Sequence, residues 1–172
     1  KGAATIERLD QLGITAYVDP MFYGKPGLTL EDVFAEIRTI GRIFRVEDRA
    51  DSLVNSYKQK IRRMKRRIPE KSDTVPAVIY DSGRDSMYTS GTSLVSDMLE
   101  VVGARNVFKE EVDDAWSSIS WEKLVRANPE YIVVMDYGAV SAKEKIKFLK
   151  NKSSLQSVRA IEKNNFVVLP LS

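Results

Sequence analysis

Three short apolar runs, at residues 77–80, 131–135 and 166–169, are separated by stretches whose apolar residues recur at helical spacing. Unbroken apolar runs suit strands covered on both faces, whereas half-exposed strands alternate. Helices are predicted near 92–102, 121–127 and 142–149, with a further short strand near 106–108. Strand, helix, strand, helix in that order argues for a parallel sheet with right-handed crossovers. The expected fold class is therefore α/β, a parallel sheet flanked by helices.

Upstream the pattern differs. Residues 5–12 read as a short helix closed by Gly13, and residues 14–18 as a strand. Residues 19–28 hold two prolines and two glycines and read as a loop. Thr29 and Asp32 have capping-box spacing, and Leu30, Val33, Phe34, Ile37, Ile40 and Ile43 continue an apolar stripe. Gly41 and Phe44-Arg45-Val46 are expected to interrupt this helix. A second helix restarts at Glu47-Asp48, whose acids suit a helix N-terminus, and runs to about Ile68, before Pro69. At 1.5 Å per residue that is on the order of 30 Å, long enough to brace two lobes.

Composition removes several chemistries. The 172 residues include no Cys and no His, which excludes disulfides, thiolate nucleophiles, the usual zinc ligands and Ser-His-Asp catalysis. No apolar run approaches the length needed to cross a bilayer. Residues 58–71 carry a net +7 in a chain whose total is +3. Nucleic-acid binding is one reading of such a run. Val54, Tyr57, Ile61, Met64 and Ile68 recur between the charges, however, and the run lacks aromatic platforms for bases. A solvated helix face is the preferred reading, with no nucleic-acid partner.

Chemistry-bearing residues concentrate beyond the first apolar run. Tyr80-Asp81-Ser82-Gly83-Arg84-Asp85-Ser86-Met87-Tyr88-Thr89-Ser90-Gly91 reads as a long polar loop at the carboxyl end of a strand. Parallel α/β sheets bind ligands at such ends. The loop contains neither G-x-x-x-x-G-K-[ST] nor G-x-G-x-x-G, so nucleotide binding is disfavoured. Glu110, Glu111, Asp113 and Asp114 read as an acidic surface loop rather than a cation site.

The order Val78-Ile79-Tyr80-Asp81-Ser82-Gly83, Ser93-Leu94-Val95-Ser96-Asp97-Met98-Leu99 and Gly103-Ala104-Arg105-Asn106-Val107-Phe108 resembles the C-terminal lobe of helical-backbone (class III) periplasmic solute-binding proteins. These serve ABC importers of iron–siderophore, haem and cobalamin-type ligands. Trp116-Ser117-Ser118-Ile119-Ser120-Trp121-Glu122-Lys123-Leu124, Asn128-Pro129-Glu130-Tyr131, Asp136-Tyr137-Gly138 and Phe166-Val167-Val168-Leu169-Pro170 extend the likeness.

The resemblance implies that residues 1–28 are a remnant of an N-terminal lobe, 29–72 a helical connector with its bracing helix, and 73–172 a C-terminal α/β lobe lacking the final helix. It implies capture of a metal chelate (iron–siderophore, haem or corrinoid) and delivery to a membrane permease. No catalysis and no resident cofactor are expected, because any Fe or Co belongs to the solute. An extracytoplasmic location is implied, periplasmic or cell-surface anchored, with membrane association through an N-terminal lipoprotein-type anchor or the permease. The segment 14–18, short of sheet neighbours, is expected to self-associate or to pair in an unusual way.

Within that frame, Ser82, Arg84, Tyr88, Trp116 and Tyr137 are the ligand-binding candidates. Arg84 has the planar fork that suits carboxylates, or else pairs with Asp81 or Asp85 in its own loop. Trp116 lines the cleft or caps the sheet, and Trp121 packs in the core. Tyr88 and Tyr137 contact ligand or pack half-buried. Glu122, in the first turn of a helix capped by Ser120, either complements the helix dipole or, as the resemblance implies, pairs with permease arginines. The rival reading is a small Mg-dependent phosphoryl-transfer or response-type α/β domain using Asp81, Asp85 and Asp136.

Overall fold

The computed structural model describes residues 5–18, 27–69, 73–112 and 114–171. α1 (Ile6–Gln11) begins at Thr5, whose hydroxyl accepts from the Arg8 amide. Residues 14–18 follow without regular secondary structure. The strand expected there does not form, and Ile14 and Tyr17 are exposed. An apolar β-branched run becomes a strand only where a partner supplies hydrogen bonds, and none of the described strands pairs with it.

α2 (Leu30–Ile43) starts at the expected Thr29–Asp32 capping box. Contrary to expectation, it runs straight through Gly41. A Cβ at Gly41 would lie 2.5 Å from the Ala50 Cβ, so the glycine serves close approach of two helices. The break comes at 44–46, where Arg45 adopts φ 55°. α3 (Glu47–Lys65) starts where its acids suggested and ends three residues before Ile68 in a turn. Its stripe is only partly covered: Val54 is fully buried, while Tyr57 and Met64 are exposed. Among its cations, Lys58 pairs with Glu31 at 2.8 Å.

β1 (Val75–Tyr80), β3 (Ala104–Asn106), β5 (Tyr131–Asp136) and β6 (Phe166–Pro170) form one parallel sheet in the order β3-β1-β5-β6. β3 lies two residues earlier than expected. α4 (Leu94–Val101), α5 (Trp121–Ala127), α6 (Ala142–Asn151) and the short α7 (Arg159–Glu162) join the strands. The α/β expectation holds. One face of the sheet is covered by a core including Val78, Tyr80, Phe108, Leu124, Val134 and Leu149, the other by a smaller core including Ala77, Ile79, Leu99 and Met135. At about 25 cal/mol per Å² of apolar surface, this burial is the main favourable contribution to the lobe's stability.

The long polar loop is in fact ordered. β2 (Met87–Ser90) pairs antiparallel with β4 (Trp116–Ile119) in a separate ribbon. Thr89 Oγ1 ties the ribbon to β1 by donating to the Ile79 carbonyl at 2.6 Å. Buried Asn106 closes the region from below, donating to the Ser90 carbonyl at 2.6 Å and to Ser96 Oγ at 2.8 Å.

Candidate functional site

β1 and β2 are two arms of a tight hairpin. The Asp81 amide donates to the Tyr88 carbonyl at 3.1 Å, and the Tyr88 amide to the Ser82 carbonyl at 2.9 Å. Gly83 allows the turn: it has φ 98°, and a Cβ there would meet the Ser86 carbonyl oxygen at 2.1 Å. The hairpin tip is held from the core side. Tyr80 Oη donates to the Gly83 carbonyl at 2.7 Å, and Trp121 Nε1 to the Arg84 carbonyl at 2.9 Å. Trp121 is buried as expected and meets the Tyr80 ring edge-on at 5.9 Å. Burial, foremost, pushes the Tyr80 phenol up to about 12.

Alternation along β2 puts Met87 in the core and Tyr88 outside. In the ribbon register Tyr88 faces Ser118 and Ser90 faces Trp116, so Tyr88 and Trp116 are diagonal neighbours. Their rings stack at 6.0 Å with 22° between planes. Tyr137, just past the end of β5, joins them. Its phenol is directed at the Asp81 carboxylate; this hydrogen-bonding contact first, then burial and the charge of Asp81, raises the phenol pKa. Ser82 Oγ donates to Asp81 Oδ2 at 2.7 Å. Four of the five sequence candidates thus form one chain of contacts from Asp81: Ser82 and Tyr137 meet its carboxylate, Tyr88 pairs with its backbone, and Trp116 stacks on Tyr88.

Arg84 does not join them. Its guanidinium lies over the Phe148 ring, 5.7 Å from the centroid, on the side of the hairpin that faces α5 and α6. Lys152 approaches the same ring at 5.7 Å and the Trp121 ring at 5.4 Å. Glu122 stands exposed on this side in the first turn of α5. Ser120 occupies the N-cap position but makes no cap bond with its side chain. Hydrogen bonds from the Glu122 amide, first, and then from the Ser120 hydroxyl hold the Glu122 carboxyl below its ordinary range.

Two charged side chains are buried here: Asp81, which the sequence offers only as an Arg84 partner or in the rival carboxylate reading, and Lys145, which it does not single out. Asp81 is 4% exposed and forms no ion pair among the described residues. Lys145 is equally buried; its Nζ donates to the Met135 carbonyl at 2.7 Å and lies 5.3 Å from the centroid of the Tyr137 ring. Helical spacing alone leaves Lys145 indistinguishable from the exposed lysines of α6.

The carboxylates of the rival reading do not converge. Asp136 Oδ1 accepts from the Ala142 amide at 2.7 Å, capping α6, and Asp81 is engaged by Ser82. Among the described residues no group of three acidic or metal-ligating side chains is placed to hold an ion. Of the acidic surface loop, Glu111 lies 3.8 Å from Lys123, and Asp113 falls outside the described residues.

A separate concavity lies away from the aromatic shelf. An open groove of about 790 Å³ runs between α2 and α3, lined by Ile37, Ile40, Phe44, Val46 and Leu53 among others. Asp48, Arg49, Ser52 and Ser56 also line that groove, which lies on the two helices and not on the sheet. The shelf stands at the carboxyl ends of β1 and β5, where parallel α/β sheets take ligands.

The periplasmic binding protein family matches residues 14–171, and the chain belongs to that family. It is 27% identical over 146 residues to the ABC transporter substrate-binding lipoprotein YvrC of Bacillus subtilis (strain 168), covering 83% of this chain and 44% of the relative. It is 24% identical over 107 residues to the vitamin B12-binding protein of Pectobacterium carotovorum, covering 62% and 38%. The chain thus spans less than half the length of these curated relatives. A periplasmic binding protein from Veillonella parvula superposes with a TM-score of 0.88 at 23% identity, covering 98% of this chain and 58% of that one. A component of the ABC-type Fe3+-hydroxamate transport system of Saccharomonospora viridis superposes at 0.79 with 25% identity, covering 97% and 58%.

Proposed function

We propose that this chain forms the C-terminal lobe, with its helical connector, of an extracytoplasmic substrate-binding protein that captures a metal chelate and passes it to an ABC permease. In this reading residues 73–172 are the lobe, 29–72 the connector and 1–28 part of a first lobe. The observation that carries it is the stacked Tyr88–Trp116 pair beside Tyr137, at the end of the sheet where α/β folds take ligands. Paired aromatic faces suit large, planar or apolar-rimmed chelates. Relatives named for vitamin B12 and for Fe3+-hydroxamate support this ligand class. Glu122, exposed and held ionised, is the docking residue on the opposite side of the hairpin, where a charge pair sets orientation and on-rate.

Thermal shift tests the reading. Ferric hydroxamates, haem and cobalamin are compared with Mg²⁺ plus acetyl phosphate, since binding to the folded state raises the melting temperature by mass action. The expected result is stabilisation by at least one chelate. Trp116→Ala should weaken that binding about tenfold, as truncating a central aromatic anchor does. Stabilisation only by Mg²⁺ with acetyl phosphate would overturn the proposal.

A further inference from the structure

Asp81 lacks a charge partner in the place where a ligand would sit. A carboxylate this buried is costly unless a cation or several hydrogen bonds compensate it. Ser82 Oγ supplies one bond, and the Tyr137 phenol a second contact. The nearest arginine in sequence, Arg84, lies over Phe148 instead. Lys145, the one buried lysine among the described residues, donates to the carbonyls of Met135 and Tyr137 at 2.7 and 3.4 Å rather than to a carboxylate. The Tyr137 phenol meets Asp81, and Tyr88, whose carbonyl accepts from the Asp81 amide, carries the stacked Trp116 ring; aromatic faces attract cations. The shelf therefore presents a negative centre close to a stacked aromatic pair.

We infer that Asp81 is a specificity-determining residue, and that the solute carries a cationic group, an alkylammonium or similar, which Asp81 receives beside the aromatic pair. This rests on the chelate-binding reading above and narrows it. It replaces the expectation of an acidic solute facing Arg84 with a solute that is positive where it meets the shelf. The charge pair would form in a partly desolvated pocket, where hydrogen bonds to charged groups are stronger than neutral ones.

The experiment varies the ligand first, so that it does not depend on a mutant folding. Isothermal titration compares three ferric trihydroxamates with the same iron coordination: a linear one ending in a primary ammonium, the same molecule acetylated on that amine, and a macrocyclic one without an amine. The expected result is that the ammonium form binds about tenfold or more tighter than the other two. Asp81→Asn keeps the side-chain shape and an acceptor for Ser82; it should bring the three affinities within about twofold of each other. Equal affinities for all three in the unmodified protein would overturn the inference while leaving chelate binding intact. A preference for the ammonium form that survives in folded Asp81→Asn would also overturn it, by placing recognition elsewhere. Absence of binding by all three, with haem or cobalamin binding instead, would reject a cationic solute, because haem presents carboxylates and cobalamin presents amides and a phosphodiester without an ammonium group. No binding by any chelate would reject the underlying reading as well.

Discussion

The two helices of residues 30–65 and the α/β lobe of residues 75–170 are held together differently. The helices bury Phe34, Gly41, Ala50 and Val54, and leave Ile40, Ile43, Phe44 and Leu53 exposed along one face. Their order comes from local devices: a capping box, acidic first turns and one close helix–helix contact at Gly41. The lobe instead has a core on each face of its sheet, built from residues far apart in sequence. Local rules specify helices well, but an enclosed core is what holds a shelf of side chains at fixed distances. The candidate ligand residues all sit on the lobe.

That contrast is open to direct attack. The largest effect is expected from Leu124→Ala, in the main core and fully buried, which should cost about 2–5 kcal/mol in urea unfolding. A loss below about 1 kcal/mol would mean that the lobe core is not what stabilises the fold. Gly41→Val comes next. Overpacking against Ala50 should cost about 1–3 kcal/mol, and amide exchange should quicken in residues 30–65 while β5 stays protected. Equal acceleration in β5 would show that the two regions open as one unit.

The smallest effect concerns Ser141, whose hydroxyl caps α6 by accepting from the Glu144 amide and donates to the Glu144 carboxylate at 2.7 Å. Ser141→Ala should cost about 1 kcal/mol. The Ser141 hydroxyl, then the Ser141 amide, hold the Glu144 carboxyl below its ordinary value of 4.5. A carboxyl depressed in the folded state stabilises above that value, and the contribution is lost as pH falls through the folded pKa. Stability of the parent should therefore decline on acidification below about 4.5, and Ser141→Ala should flatten that decline. An unchanged pH profile would remove the cap from the account.

Sequence pattern reached the parallel strands because Val78-Ile79-Tyr80 and Ile132-Val133-Val134 are unbroken apolar runs, a signal that survives without knowledge of partners. It missed β2 and β4. Thr89, Ser90, Ser117 and Ser118 read as loop, and their strand character comes from pairing across 26 residues or more of sequence. The opposite error befell residues 14–18, which look like a strand but pair with none of the described strands. At the site, residue types were legible but orientations were not. Tyr88 and Trp116 were each picked singly, and only the ribbon register stacks them. Arg84 was aimed at the ligand on chemistry alone, while the fold draws its guanidinium to Phe148 on the other side of the hairpin. Asp81 and Lys145 are not legible as buried charges, because burial is a property of the assembled fold.

The turn at residues 137–141 is latched twice to the same helix. Asp136 accepts from the first amide of α6, and Lys145, one turn further along α6, donates to the carbonyl before Asp136. Tyr137 lies inside both latches, and its own carbonyl accepts from Lys145 at 3.4 Å. The span of this turn consequently acts as a gauge for the mouth of the shelf. A sister protein with one residue added or removed there would aim a different side chain at the carboxylate, and so acquire a different taste in solutes without altering any strand.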